Sequence, residues 1–267
     1  MREADRDRFL ASLFAPAEVR PHLFALYAFN AEIAMIRDRV SAPPPGEMRL
    51  QWWREFLAGP RRAEGEGNPV GAALMRAVAF GRLPIEPLMA LLDARTFDLY
   101  DDPMPTVRDL EGYCGETSSV LIRLASLLLG RGKDLGGAEA AGHAGVAYAV
   151  TGLLRALPRH AAQGRCYVPK DLLARHGASP ADLLSRRYTP ALADALAEMR
   201  SLARRHLAAA HEAVLPKAIG PAFLPAALVE PYLRRMEQPG FDPFRESADV
   251  SQWRRQLALW RASQRGI

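Results

Sequence analysis

Apolar residues recur at helical spacing along almost the whole chain. Residues 5–13 predict a first helix. Residues 17–40 predict a longer one, with Pro21 in its opening turns and Leu23, Leu26, Tyr27, Ala31, Ala34 and Ile36 on one face. The run APPPG at 42–46 predicts a stop, and 47–57 a resumed helix. That helix carries the adjacent Trp52 and Trp53, one expected in the core and the other at its lip. The Gly-, Pro-, Arg- and Glu-rich stretch 59–69 predicts an exposed loop. Helical patterns return at 70–80, 85–99, 106–129 and 138–157, separated in part by DDPMP at 101–105 and a glycine turn around 130–137.

Beyond Pro169 a short helical piece at 169–176 precedes Ser179, an N-cap candidate with Pro180 at the first helical position. A long Ala/Leu/Arg helix is predicted at 190–213, and another at 221–237 that Pro225 and Pro231 should kink or interrupt. The last, about 249–264, sets Trp253, Leu257 and Trp260 at i, i+4 and i+7 beside Arg254, Arg255 and Arg261. This stripe is expected to pack on the helical body, with a bilayer surface as the alternative use. No stretch sustains period-2 alternation. The expected architecture is all-α, a single domain over 1–267 without internal repeats.

Composition narrows the function classes. The chain has 267 residues, 49% hydrophobic and 24% charged, with a formal net charge of +5 and a sequence pI of about 9.5. A basic balance favours anionic partners such as a membrane surface, a diphosphate or an acidic protein. The arginines are scattered and no nucleic-acid-binding signature is present, so nucleic acid is not expected. Cys114 and Cys166 form no C-x-x-C pair and are expected as reduced core residues. The charged N-terminal segment has no signal-peptide core, and no apolar run reaches membrane-spanning length. A cytoplasmic protein is expected, with the inner membrane as a candidate peripheral contact. His143, His206 and His211 read as isolated.

The most informative stretch is 148–169, YAVTGLLRALPRHAAQGRCYVP. On a continuous helix Gly152, Ala156 and His160 would share one face. The stretch resembles the second aspartate-rich motif of the squalene/phytoene synthase family, N-x-x-R-D-x-x-x-D-x-x-x-G-R-x-Y-x-P. Arg155, Gly164, Arg165, Tyr167 and Pro169 match it, while Gly152, Ala156 and His160 replace the Asn and both Asp. Tyr27 to Asp38 similarly resembles the first motif, D-x-x-x-D, with Ala34 in place of the first Asp and only Asp38 retained. Residues 109–120, DLEGYCGETSSV, resemble the family's Tyr-Cys helix, with Thr117 and Ser118 at positions that line the substrate cavity in active members. The segments NAEIA and RLQWWR, with LRALPRH in place of the second aspartate motif, resemble the branch that includes the mitochondrial respiratory complex I assembly factor.

The resemblance implies an isoprenoid synthase-like helical bundle with a central cavity. In active members, facing carboxylates hold magnesium against an allylic diphosphate, because a hard cation needs oxygen ligands. Three of those four carboxylates are missing here, so the expectation is a catalytically inactive protein with no metal site and no cofactor. It would bind an isoprenoid diphosphate or lipid, or act on respiratory-complex subunits. Arg155, Arg165, Tyr167, Arg37, Asp38, His160 and Tyr27 form a candidate anionic pocket, since Arg forks bind phosphate oxygens without metal. The alternative is an active head-to-head prenyltransferase that holds Mg2+ on an atypical set such as Asp38, Glu32 and Asp98 or Asp101.

Overall fold

The computed structural model describes residues 2–61, 63 and 67–265, and among these it contains helices and no strand. The predicted loop 59–69 therefore lies partly outside the described residues. Helix α1 spans Arg6–Ser12, capped by the Asp5 side chain, which accepts from the Arg8 amide at 3.0 Å. Helix α2 spans Arg20–Ala34 and is shorter than expected. A separate 3-10 turn, Arg37–Arg39, carries Asp38, so Ala34 and Asp38 do not share a continuous helix. Helix α3, Pro43–Ala58, begins inside the predicted stop. Its prolines occupy the first turn, where the missing amide hydrogens have no acceptor in any case.

Next come α4 (Pro69–Gly81) and α5 (Glu86–Thr96). Residues 106–129 form α6 (Val107–Cys114), a π-helical segment (Gly115–Ser119) and α7 (Val120–Leu129) in direct succession. The central helix α8, Ala138–Ala162, runs through Pro158 instead of ending there, so Gly152, Ala156 and His160 do lie on one continuous helix. Two short helices, α9 (Lys170–Arg175) and α10 (Pro180–Leu184), lead to α11, Pro190–His211. Ser179 and Asp182 form the capping box at the start of α10. The 221–237 region is interrupted at Pro225 but not at Pro231: α12 (Gly220–Phe223), a 3-10 segment over Leu224–Leu228, then α13 (Val229–Met236), whose first turn accommodates Pro231. Helix α14 spans Gln252–Arg265.

Small residues set how closely these helices approach. Helix α8 buries Ala140, Ala141, Ala144 and Ala147, and α11, its most extensive partner, buries Ala195, Ala203 and Ala210. Gly145 is packed hardest: a Cβ there would lie 2.3 Å from Ser119 Cα and Oγ. The Ser119 hydroxyl donates to the Gly142 carbonyl at 2.7 Å and ties the π segment to α8. Around this pair a contiguous apolar cluster joins Leu26, Phe29, Trp53, Leu91, Leu128, Leu196, Phe223 and Leu233 from separate elements. Trp53 is buried, while Trp52 is half-buried and stacks on Phe56 with ring centroids 5.6 Å apart. Both cysteines are free and buried, and burial raises the Cys166 thiol to about 11. No helix of the described residues is long and apolar enough to cross a membrane.

Candidate functional site

The chain leaves α8 through a Schellman turn. Gly164 takes φ +76°, its amide donates to the Ala161 carbonyl at 3.1 Å, and the Arg165 amide donates to the His160 carbonyl at 2.9 Å. The left-handed conformation accounts for the glycine of G-R-x-Y-x-P, because a side chain there would clash with its own backbone. The exit segment then runs beside residues 101–105: the Met104 amide donates to the Cys166 carbonyl, and the Lys170 amide to the Met104 carbonyl, each at 2.9 Å. This pairing delivers Tyr167 to Asp98, with its hydroxyl donating to Asp98 Oδ1 at 2.7 Å.

Asp98 anchors a buried polar cluster. It accepts from Tyr113 at 2.7 Å as well as from Tyr167, and pairs with Arg95 at 3.0 Å. Burial raises the phenols of Tyr113 and Tyr167 well above their ordinary value, so both stay protonated donors. His160 lies against Tyr167 with ring centroids 4.7 Å apart. Burial first, then the charges of Arg159 and Arg165, lower His160 to about 4, so the imidazole is neutral at physiological pH. At the rim, Arg165 donates to both Asp38 and Gln163, and Arg159 lies 3.8 Å from the second Asp38 oxygen. The seam lined by Leu154, Leu157, His160, Tyr167 and Met199 leaves about 10 Å3 free. That is room for roughly one water, against the roughly 300–1,000 Å3 of pockets that hold small molecules.

A second polar network fills the space beside Tyr27 and Ser118, and it is built on α1. The buried Arg8 guanidinium sits 4.9 Å from the Tyr148 ring centroid and 5.6 Å from that of Tyr27. It donates to Ser118 Oγ at 3.3 Å and pairs with Asp5 at 2.9 Å. Asp7, 4% exposed, accepts from the Tyr232 hydroxyl at 2.9 Å and pairs with Arg255 at 2.8 Å and Arg155 at 3.2 Å. Arg155 also pairs with Asp249 at 2.6 Å and lies over the Tyr232 ring at 3.7 Å. Ser118, a cavity-wall position by the resemblance, is thus met by an arginine from the chain's own first helix.

The seven residues singled out by sequence therefore divide. Asp38, His160, Arg165 and Tyr167 converge around the α8 exit. Arg155 and Tyr27 belong instead to the α1 network, and Arg37 turns outward to Asp101 at 3.1 Å. Asp7, Arg8, Tyr232 and Arg255 were not among them, because a charged N-terminal stretch reads as solvated until its partners, far along the chain, are placed. His143 and His206, expected to be isolated, meet at 2.9 Å between their Nδ1 atoms, and His206 Nε2 reaches Glu111 at 2.8 Å.

Magnesium does not fit the positions that would hold it. The Asp38 carboxylate is engaged by Arg165, Arg159 and Gln163. The facing helix offers Gly152, Ala156 and a neutral imidazole. No group of three or more His, Cys, Asp or Glu side chains among the described residues could hold a metal ion.

An all-α bundle with this exit turn, Tyr-Cys helix and paired motif positions defines the class: residues 1–261 match the squalene/phytoene synthase family, and the chain belongs to it. The complex I assembly factor 6 of Bos taurus is 36% identical over 250 residues, covering 92% of this chain and 74% of that protein; the human protein is 35% identical over the same coverage. A presqualene diphosphate synthase of Zymomonas mobilis is 28% identical, covering 85% and 78%. Among solved structures, the squalene synthase of Alicyclobacillus acidocaldarius superposes with a TM-score of 0.78 at 26% identity, covering 91% of this chain and 92% of that one. A dehydrosqualene synthase gives 0.80 at 20% identity, a likeness of fold alone.

Proposed function

We propose that this chain is a non-catalytic member of the family that works by binding protein, in the assembly of a respiratory NADH dehydrogenase complex. The observation that carries the reading is the loss of three of the four motif carboxylates (Ala34, Ala156 and His160 in their places), with the fourth, Asp38, held by Arg165. The leaving diphosphate of a prenyl transfer needs concentrated positive charge at its oxygens. Here the candidate cations are already neutralised: Arg155 by Asp7 and Asp249, Arg165 by Asp38, Arg37 by Asp101. The similarity to complex I assembly factor 6 supplies the partner class, the subunits of that complex.

The test is deletion of the gene, followed by native gel electrophoresis of membranes and an NADH:quinone oxidoreductase assay. The expected outcome is loss of the assembled complex, restored by the wild-type chain and equally by Asp38→Ala, which removes the last motif carboxylate. Intact complex in the deletion strain, or rescue that requires Asp38, would overturn the proposal.

A further inference from the structure

Helix α14 is amphipathic in the direction opposite to the one its sequence suggests. Its inward stripe is Arg255, which is 5% exposed and paired with Asp7, followed by Leu259 at 0% and the partly buried Ala258 and Ala262. The Trp stripe expected to pack on the body faces away from it: Trp253 is 61% exposed and Trp260 55%. At 100° per residue Trp253, Leu257, Trp260 and Gln264 fall within about 60° of one another on the outer face. Arg254, Arg261 and Arg265 line one edge of that face, within about 40° of one another.

The charge of this helix is one-sided. Residues 252–265 contain four arginines and no Asp or Glu. The carboxylates beside it are already paired: Asp249 with Arg155, Glu230 with Arg204 and Arg234, and Asp7 with the inward Arg255 of the helix itself. Among the described residues Arg254, Arg261 and Arg265 have no ion-pair partner. Arg254 lies over the Trp253 ring at 5.3 Å. Arg254 and Arg261 also edge an open groove of about 790 Å3 between α13 and α14, with Pro231 and Arg234 among the residues lining it.

We propose that this face of α14 docks on an anionic phospholipid surface. Trp253 and Trp260 would enter the headgroup layer, and Arg254, Arg261 and Arg265 would engage lipid phosphates. Indole suits that depth because it has a large apolar ring and one N–H donor, and the layer is apolar on one side and wet on the other. Guanidinium suits the phosphates because its fork meets their oxygens in pairs. The chemistry selects a membrane over a protein partner because the face combines indole rings with an unpaired row of cations. Its apolar part, two indoles and one leucine, is narrow for a stable protein interface, which buries roughly 800 Å2 per partner.

The test is co-sedimentation of the full chain with vesicles of phosphatidylcholine and phosphatidylglycerol, against vesicles of phosphatidylcholine alone. Each arginine near an anionic surface contributes about fivefold to partitioning. The wild-type chain should therefore favour the anionic vesicles. The triple variant Arg254→Gln/Arg261→Gln/Arg265→Gln should lose on the order of 100-fold of that preference. Trp253→Ala/Trp260→Ala should weaken binding to the anionic vesicles as well. These side chains are exposed, and unchanged thermal melts would verify that both variants fold. Equal partitioning to the two vesicle types, or variants that bind like wild type, would overturn the proposal. So would a dimer in sedimentation velocity that Trp253→Ala/Trp260→Ala dissolves, since a second copy would then cover the face.

Discussion

Asp7 is the position where one substitution should disturb the molecule most clearly. Its carboxylate is buried, accepts from Tyr232 and pairs with both Arg255 and Arg155. In Asp7→Ala, Arg155 keeps Asp249, but the Arg255 guanidinium, with its side chain 7% exposed, retains only the Tyr232 hydroxyl at 3.1 Å. Removing one partner of a buried ion pair costs about 3–5 kcal/mol, because the remaining charge stays desolvated. At about 2–4 °C per kcal/mol for a domain near this size, the melting temperature should fall by roughly 6–20 °C. Urea unfolding followed by circular dichroism would measure the loss directly. The double variant Asp7→Leu/Arg255→Met removes both charges and should recover most of it, since replacing a whole buried pair with apolar side chains is often close to neutral. A loss below about 1 kcal/mol in Asp7→Ala, or no recovery in the double variant, would refute the reading of Asp7 as the buried anchor of the α1 network.

Two further perturbations probe the interior. Gly145→Ala gains about 1 kcal/mol of helix propensity but drives a methyl group onto the Ser119 backbone. The expected net loss is on the order of 2 kcal/mol in urea unfolding, and a stabilised variant would show that α8 and the π segment are not in close contact. His160 gives a pH dependence. Its folded-state value of about 4 lies below the ordinary 6.5, so the unfolded chain binds the extra proton and stability rises with pH between those values. That contribution is complete above about 6.5 and is lost as pH falls through about 4, an effect on the order of 3 kcal/mol. His160→Gln should flatten the stability profile between pH 4 and 6.5, and a profile unchanged by the substitution would mean that the ring is hydrated.

Helix positions were legible because they depend on local periodicity and punctuation. Ser179–Pro180 starts α10, and the 221–237 region is interrupted at Pro225, while Pro231 sits in the first turn of α13 without breaking it. Proline was the source of two further errors. Pro43 to Pro45 open α3 ahead of the start expected at 47, and α8 continues through Pro158, where tertiary packing outweighs one lost backbone hydrogen bond. Four of the residues the motifs single out, Asp38, Arg165, His160 and Tyr167, meet at the α8 exit, where the Gly164 turn aims Arg165 and Tyr167. Arg155 went elsewhere, since its partners Asp7 and Asp249 lie at opposite ends of the sequence and carry no local signal. The same long-range pairing turned α14 over: Arg255 is drawn inward by Asp7, and the two tryptophans are left outside.

A calorimetric titration of the full chain with farnesyl thiodiphosphate, in magnesium and again in EDTA, addresses the central claim most directly. The arrangement of Asp38, Arg165 and Arg159 predicts no heat that depends on magnesium, and farnesyl diphosphate left unconsumed in a parallel assay. Magnesium-dependent binding that disappears in Asp38→Ala would contradict the account and return the chain to the active prenyltransferases.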